Sequence, residues 1–163
     1  MPVWNEDGFC MCQSSAILRM LGIRLGYYPE DPMTAWRVDS LVDFMEDNLG
    51  KCNGWIFPAA TGGQVDMTKE DAWFADYWDK VIPVMEARLA EHGKKYVAGT
   101  DTPTIADFKC FAQVSRASKI NPNTAVPAST LQKLEQKIRA SPGYSRWYDN
   151  MCRETNNYLM TRI

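Results

Sequence analysis

The sequence predicts a mainly α fold: a short β-hairpin and one helix, then an all-helical domain. Three observations carry this. Apolar residues recur at helical spacing from about residue 33 to the C-terminus. Two short extended segments around an Asp-Gly turn, then one helix, precede that pattern. Between the two regions lies YYPEDPM, residues 27–33, whose prolines read as a connector. The expected division is therefore 1–28 and 33–163.

The hairpin is expected from strands at 2–5 and 9–12 around Asn5-Glu6-Asp7-Gly8. A helix over 14–25 follows, with Ile17, Leu18, Leu21 and Leu25 on its apolar face and Gly26 as its stop. Val38, Leu41, Val42, Met45 and Leu49 mark the next helix, which Gly50, Asn53, Gly54 and Pro58 should interrupt. A polar loop is read at 60–66. A long helix over 68–92 should bury Phe74, Tyr77, Trp78, Val81, Met85 and Leu89, and bend at Pro83. A helix over 104–117 is next. Pro122 and Pro127 mark a loop, and two shorter helices cover 130–140 and 143–155.

Composition narrows the function. Hydrophobic residues make up 45% and charged residues 23%, a globular profile with room for one ordinary core. A net charge of −2 with no basic cluster argues against nucleic acid as partner. No apolar run approaches the roughly 20 residues of a membrane span. One histidine, His92, leaves no histidine-based metal set, and no metal is expected. The five cysteines are scattered, and Cys10 and Cys12 form C-x-C rather than a redox C-x-x-C. Free thiols in a reducing compartment such as the cytoplasm fit best, with an organellar or cytoskeletal assembly as a further setting.

Local chemistry concentrates at three places. Gln13 and Ser14 stand where a helix begins, with Ser14 read as the N-cap. Free N–H groups and the helix dipole there make a site for a carboxylate. Asp39, Asp43 and Asp47 fall at i, i+4 and i+8 on one helix face, a repulsion that a nearby cation would relieve. Thr104 and Asp107 form a capping box with Asp in the reciprocal place, which assigns them to the fold rather than to a site. Trp55 and Phe57 lie apart from the helical aromatic stripe, in a stretch read as irregular.

The run PVWNEDGFCMCQSSAILRMLGIRLG, residues 2–26, together with TDTPTIADFKCFAQV, residues 100–114, resembles the cytosolic glutathione S-transferases of the pi, sigma and mu kind. The resemblance covers nearly all of this chain but about three quarters of a full member. It implies a truncated thioredoxin-like remnant, the hairpin and first helix, followed by the family's all-helical C-terminal domain. It implies glutathione as ligand or co-substrate. Gln13 and Ser14 would hold its γ-glutamyl carboxylate, Met1 and Pro2 would meet its cysteinyl part, and Asp47 would reach its amino group from a second subunit. Trp55 and Phe57 would flank a co-substrate pocket, and Arg19, Asp39 and Asp43 would form a polar subunit interface in a homodimer or with other protein subunits. The family's thiol-activating residue has no counterpart in this sequence. The expectation is thus a non-catalytic structural subunit of a larger assembly. The alternatives are a transferase whose first part lies outside this sequence, or a non-catalytic binder of glutathione or another small ligand.

Overall fold

The computed structural model describes residues 3–60, 67–116 and 128–160, with some side chains within those helices left aside. Met1 and Pro2, the loop expected at 60–66 and that containing Pro122 and Pro127 fall outside the described backbone, apart from Ala60 itself.

Strands β1 (Val3–Glu6) and β2 (Phe9–Cys12) pair antiparallel in the register Val3 to Cys12 and Glu6 to Phe9. Asp7 and Gly8 turn the chain with φ of 49° and 81°, the double left-handed geometry that Asp-Gly tolerates. Helix α1 (Ser14–Leu25) follows and ends on Gly26 in the left-handed region, as read from the sequence. Glu6 and Arg24 tie the hairpin to the end of α1 with a 2.5 Å ion pair. The expected apolar face of α1 is only half covered, and Leu25 is 66% exposed.

Helix α2 runs unbroken over Pro32–Ala60, which corrects the interruption expected at Gly50 to Pro58. Pro58 sits within its last turn, and the helix continues through Gly50 and Gly54 although each costs about 1 kcal/mol relative to alanine. Asp31 starts this helix, accepting hydrogen bonds from the Thr34 N–H and hydroxyl at 2.8 Å each.

The segment read as one bent helix is three pieces. Helix α3 (Met67–Asp76) passes into a π-helical turn, Tyr77–Val81, and then α4 (Ile82–His92). The irregularity thus lies just before Pro83, whose ring has no N–H to donate to the preceding turn. Helices α5 (Ile105–Arg116), α6 (Ala128–Ala140) and α7 (Pro142–Met160) complete the chain.

One core joins α2, α4, α5 and α7. Val38, Val42 and Met45 of α2 meet Met85 of α4, Ala106 of α5 and Trp147 of α7, all essentially without exposure. Gly22 lets α1 approach α5 closely: a Cβ there would lie 2.5 Å from Cγ2 of Ile105. The Ile105 N–H also donates to the Tyr27 carbonyl at 3.0 Å, binding the connector to the start of α5.

Candidate functional site

The N-terminus of α1 is the best-formed polar site. Gln13 has φ 73° and ψ 105°, a left-handed conformation that costs a non-glycine residue about 1–3 kcal/mol. Its carbonyl accepts the Ile17 N–H at 3.0 Å, so Gln13 holds the cap position and Ser14 is the first helical residue. This corrects the reading of Ser14 as the cap. The Gln13 side chain makes no capping bond. Helix geometry then leaves the N–H groups of Ser14, Ser15 and Ala16 without intrahelical acceptors, at the positive end of the helix dipole.

Two more elements bring charge to that end. The Ser15 hydroxyl donates to Glu46 of α2 at 3.4 Å, and Lys109 of α5 pairs with the same carboxylate. The Lys109 ammonium also lies 3.4 Å from the Ser15 hydroxyl, and its side chain is only 12% exposed. Sequence reading missed Ser15, Glu46 and Lys109. Glu46 and Lys109 are 63 positions apart, and no local spacing signals their meeting.

The acidic stripe finds its cation inside the chain. Arg19 of α1 donates through Nε to Asp39 at 2.6 Å and through Nη2 to Asp43 at 2.7 Å. These bonds, Asp39 first, hold the guanidinium above its ordinary pKa, although burial opposes them. The Tyr28 hydroxyl donates to Asp39 at 2.7 Å, and burial is the largest cause pushing its pKa up. The expected relief of Asp39 and Asp43 by an arginine of a second subunit is therefore supplied by the chain's own Arg19. Asp47 lies one turn beyond Asp43, exposed and without a partner among the described residues. Since α1 and α2 run past each other from Arg19 at Asp43 to Ser15 at Glu46, Asp47 falls at the Gln13–Ser14 end of the pair.

Thr104 and Asp107 meet as the capping box predicts. The Asp107 carboxylate accepts the Thr104 N–H at 2.8 Å and the Thr104 hydroxyl at 2.9 Å. It also accepts the Val97 N–H at 3.0 Å and the Trp147 indole N–H at 2.9 Å, two partners that sequence spacing did not indicate. Burial pushes the carboxyl above its usual range, and the four donors pull the other way. The cluster is enclosed and serves the fold.

Trp55 and Phe57 stand in the last turns of α2, not in an irregular stretch, and their side chains lie outside those described. An apolar groove of about 560 Å³ lies elsewhere, lined by Leu18, Leu21 and Leu25 of α1, Ile105 and Phe108 of α5, and Thr155 of α7. Among the described residues, no cluster of three or more His, Cys, Asp or Glu could hold a metal. No helix among them is long and apolar enough to cross a membrane.

The family model "Glutathione S-transferase, C-terminal domain" matches residues 55–150. Glutathione S-transferase 1 of Ascaris suum is 29% identical over 150 residues, covering 90% of this chain and 71% of that protein. The crystal structure of the glutathione S-transferase from Ascaris lumbricoides aligns with a TM-score of 0.62 at 26% identity, over 92% of this chain and 73% of that one. A monomeric glutathione S-transferase of Necator americanus shares the fold at 23% identity and a TM-score of 0.61, over 92% of this chain and 73% of its own. The chain belongs to the glutathione S-transferase family.

Proposed function

We propose that the chain supplies the γ-glutamyl-recognising part of a glutathione site, as a non-catalytic subunit of a larger protein assembly. The observation that carries the recognition is the strained backbone of Gln13. Residues held at positive φ concentrate where a ligand is clamped. Here the strain leaves the Gln13 amide uncapped beside three open N–H groups. An α-carboxylate fits those donors, and the amide matches its hydrogen-bonding neighbours. Lys109 adds a cation nearby, partly answered by Glu46. On this reading, Asp47 of a second copy takes the ligand's amino group, which its exposure would allow.

Two observations favour the subunit role. The Tyr28 hydroxyl is committed to Asp39, with its pKa raised, so it is a poor activator of a thiol. Both outer edges of the two-stranded hairpin are open, with Val3 57% and Phe9 72% exposed. The free thiols of Cys10, Cys12, Cys110 and Cys152 suit a reducing compartment. The second reading, a transferase in its own right, is favoured by the Gln13–Ser14 pair at the start of α1, whose side chains and N–H groups are left open there.

Titration of glutathione into the purified chain, paired with a conjugation assay using an aryl halide acceptor, separates these readings. Saturable binding that weakens about ten-fold in Gln13→Ala, with no conjugation above background, is the expected result. Absence of binding overturns the recognition. Turnover that is lost in Tyr27→Phe or Tyr28→Phe overturns the non-catalytic role.

A further inference from the structure

A second recess of about 460 Å³ opens between the end of α4, the turn after it, and α7. Its polar side chains are Lys94, Lys95, Arg146 and Asn150, and no carboxylate lines it. Such a basic recess stands out in a chain of net charge −2. The volume lies within the range of small-molecule pockets, roughly 300–1,000 Å³.

The local fold explains how these groups converge. Gly93 ends α4 in the left-handed conformation, φ 56°, and turns the chain so that Lys94 and Lys95 follow at once. Arg146 and Asn150 are four apart on α7, so they share one helix face across from that turn. Trp147, 1% exposed, lies between them and lines the recess. Its indole N–H is fixed on Asp107, which anchors this part of α7 against the core.

The hydrogen bonds show which donors remain. Lys94 is held by Asp101 at 2.8 Å, and Lys95 lies 4.0 Å from Glu154 and over the Tyr96 ring. Lysines after a helix end also answer its C-terminal carbonyls, so these two alone would be ordinary. Arg146 is different. It sits well before the end of its own helix and has no partner among the described residues. Asn150 accepts from Arg153 through Oδ1, which leaves its Nδ2 amide to donate. The arginine fork and the asparagine amide thus offer donors to the recess, beside two ammonium groups that Asp101 and Glu154 partly answer.

We propose that this recess binds a small phosphomonoester, its phosphate held by Arg146, Lys95 and the Asn150 amide, and its body against Ala90 and Gly93 at the end of α4. A planar guanidinium with adjacent ammonium groups suits a tetrahedral dianion better than a carboxylate. The site is independent of the helix start at Gln13, so the two can fail separately.

Calorimetric titration with phenyl phosphate tests this, with phenol, benzoate and inorganic phosphate as comparison probes. Phenyl phosphate should bind saturably and more tightly than inorganic phosphate or benzoate, and phenol should not bind. Arg146→Gln and Lys95→Gln should each weaken binding roughly ten-fold, while Lys133→Gln on exposed α6 leaves it unchanged. Circular dichroism of each variant checks that the fold is retained. Failure of phenyl phosphate to saturate up to about 10 mM overturns the proposal. So does binding that is indifferent to Arg146→Gln, or equal for benzoate and phenyl phosphate.

Discussion

Asp107 concentrates more of the fold's polar chemistry than any other described side chain: four donors converge on one carboxylate from the connector before α5, the start of α5 and α7. Replacing it by Asn turns one acceptor oxygen into a donor and leaves a buried N–H unanswered, at a cost of about 1–3 kcal/mol. Its titration has a definite sign. Burial raises the folded pKa above the ordinary value of 3.8, so the folded state keeps the proton to higher pH than the unfolded chain. The carboxyl's contribution is complete below the unfolded value and declines as pH rises through the folded one. Denaturation of the protein and of Asp107→Asn across that window should therefore show the stability difference shrinking as pH rises. A difference that grows instead would mean the four donors outweigh burial. The Thr104–Asp107 half of this cluster was legible because its spacing is three residues. Trp147 was not, because it lies 40 residues on and meets Asp107 only after α7 packs. The same holds at the start of α1. Gln13 and Ser14 are neighbours in sequence and were readable, while Lys109 and Glu46 arrive from separate helices.

Between elements, the closest constraint is the seam of α1 on α5. Gly22 is the buried residue of α1, and a methyl group there would meet Ile105 Cγ2 at 2.5 Å, inside any real contact distance. Gly22→Ala should cost about 1–3 kcal/mol through overpacking, reduced by up to about 1 kcal/mol of helix propensity. Ile105→Ala alone should cost about 2–5 kcal/mol as a cavity. Combined, the two should destabilise less than their sum, since the new methyl enters the space the isoleucine leaves. Chemical denaturation of the four proteins in the cycle measures that coupling, and strict additivity would refute the contact. The hairpin, the span of α1 and the helical character beyond residue 33 were all readable from alternation, an Asp-Gly turn and helical spacing. The unbroken α2 was not. Gly50, Gly54 and Pro58 are local break signals, costing about 1 kcal/mol for each glycine and about 3 kcal/mol for a proline in a helix interior, and the helix runs through them all the same. The π-helical turn at Tyr77–Val81 was equally hidden, because an i+5 register leaves no mark in the apolar spacing that a helix of period 3.6 would also produce.

At the scale of the molecule, the sheet among the described residues consists of the two strands β1 and β2. A lone hairpin is marginal in water, and here it is held by α1 and the Arg24–Glu6 pair alone among the described ion pairs. Its open edges offer unpaired N–H and C=O groups, and Phe9, Val3 and Trp4 are 72%, 57% and 38% exposed. Ile23 and Leu25 on α1 add apolar surface at 64% and 66% exposure. Burying one such side chain on association is worth about 1.5–3 kcal/mol, so a partner covering this region gains substantially. We expect the purified chain to self-associate through the hairpin at micromolar concentration, with the edge of one copy meeting that of another. Sedimentation velocity should show a species heavier than the monomer, and Phe9→Ser should raise its dissociation constant about ten-fold or more. Hydrogen exchange should slow at the amides of β1 and β2 in the assembled form alone. The Arg19–Asp39–Asp43 cluster is satisfied within the chain, so Asp43→Asn should leave the association constant nearly unchanged. A monomer whose hairpin amides exchange freely, or an assembly as sensitive to Asp43→Asn as to Phe9→Ser, would show that the hairpin is not the contact.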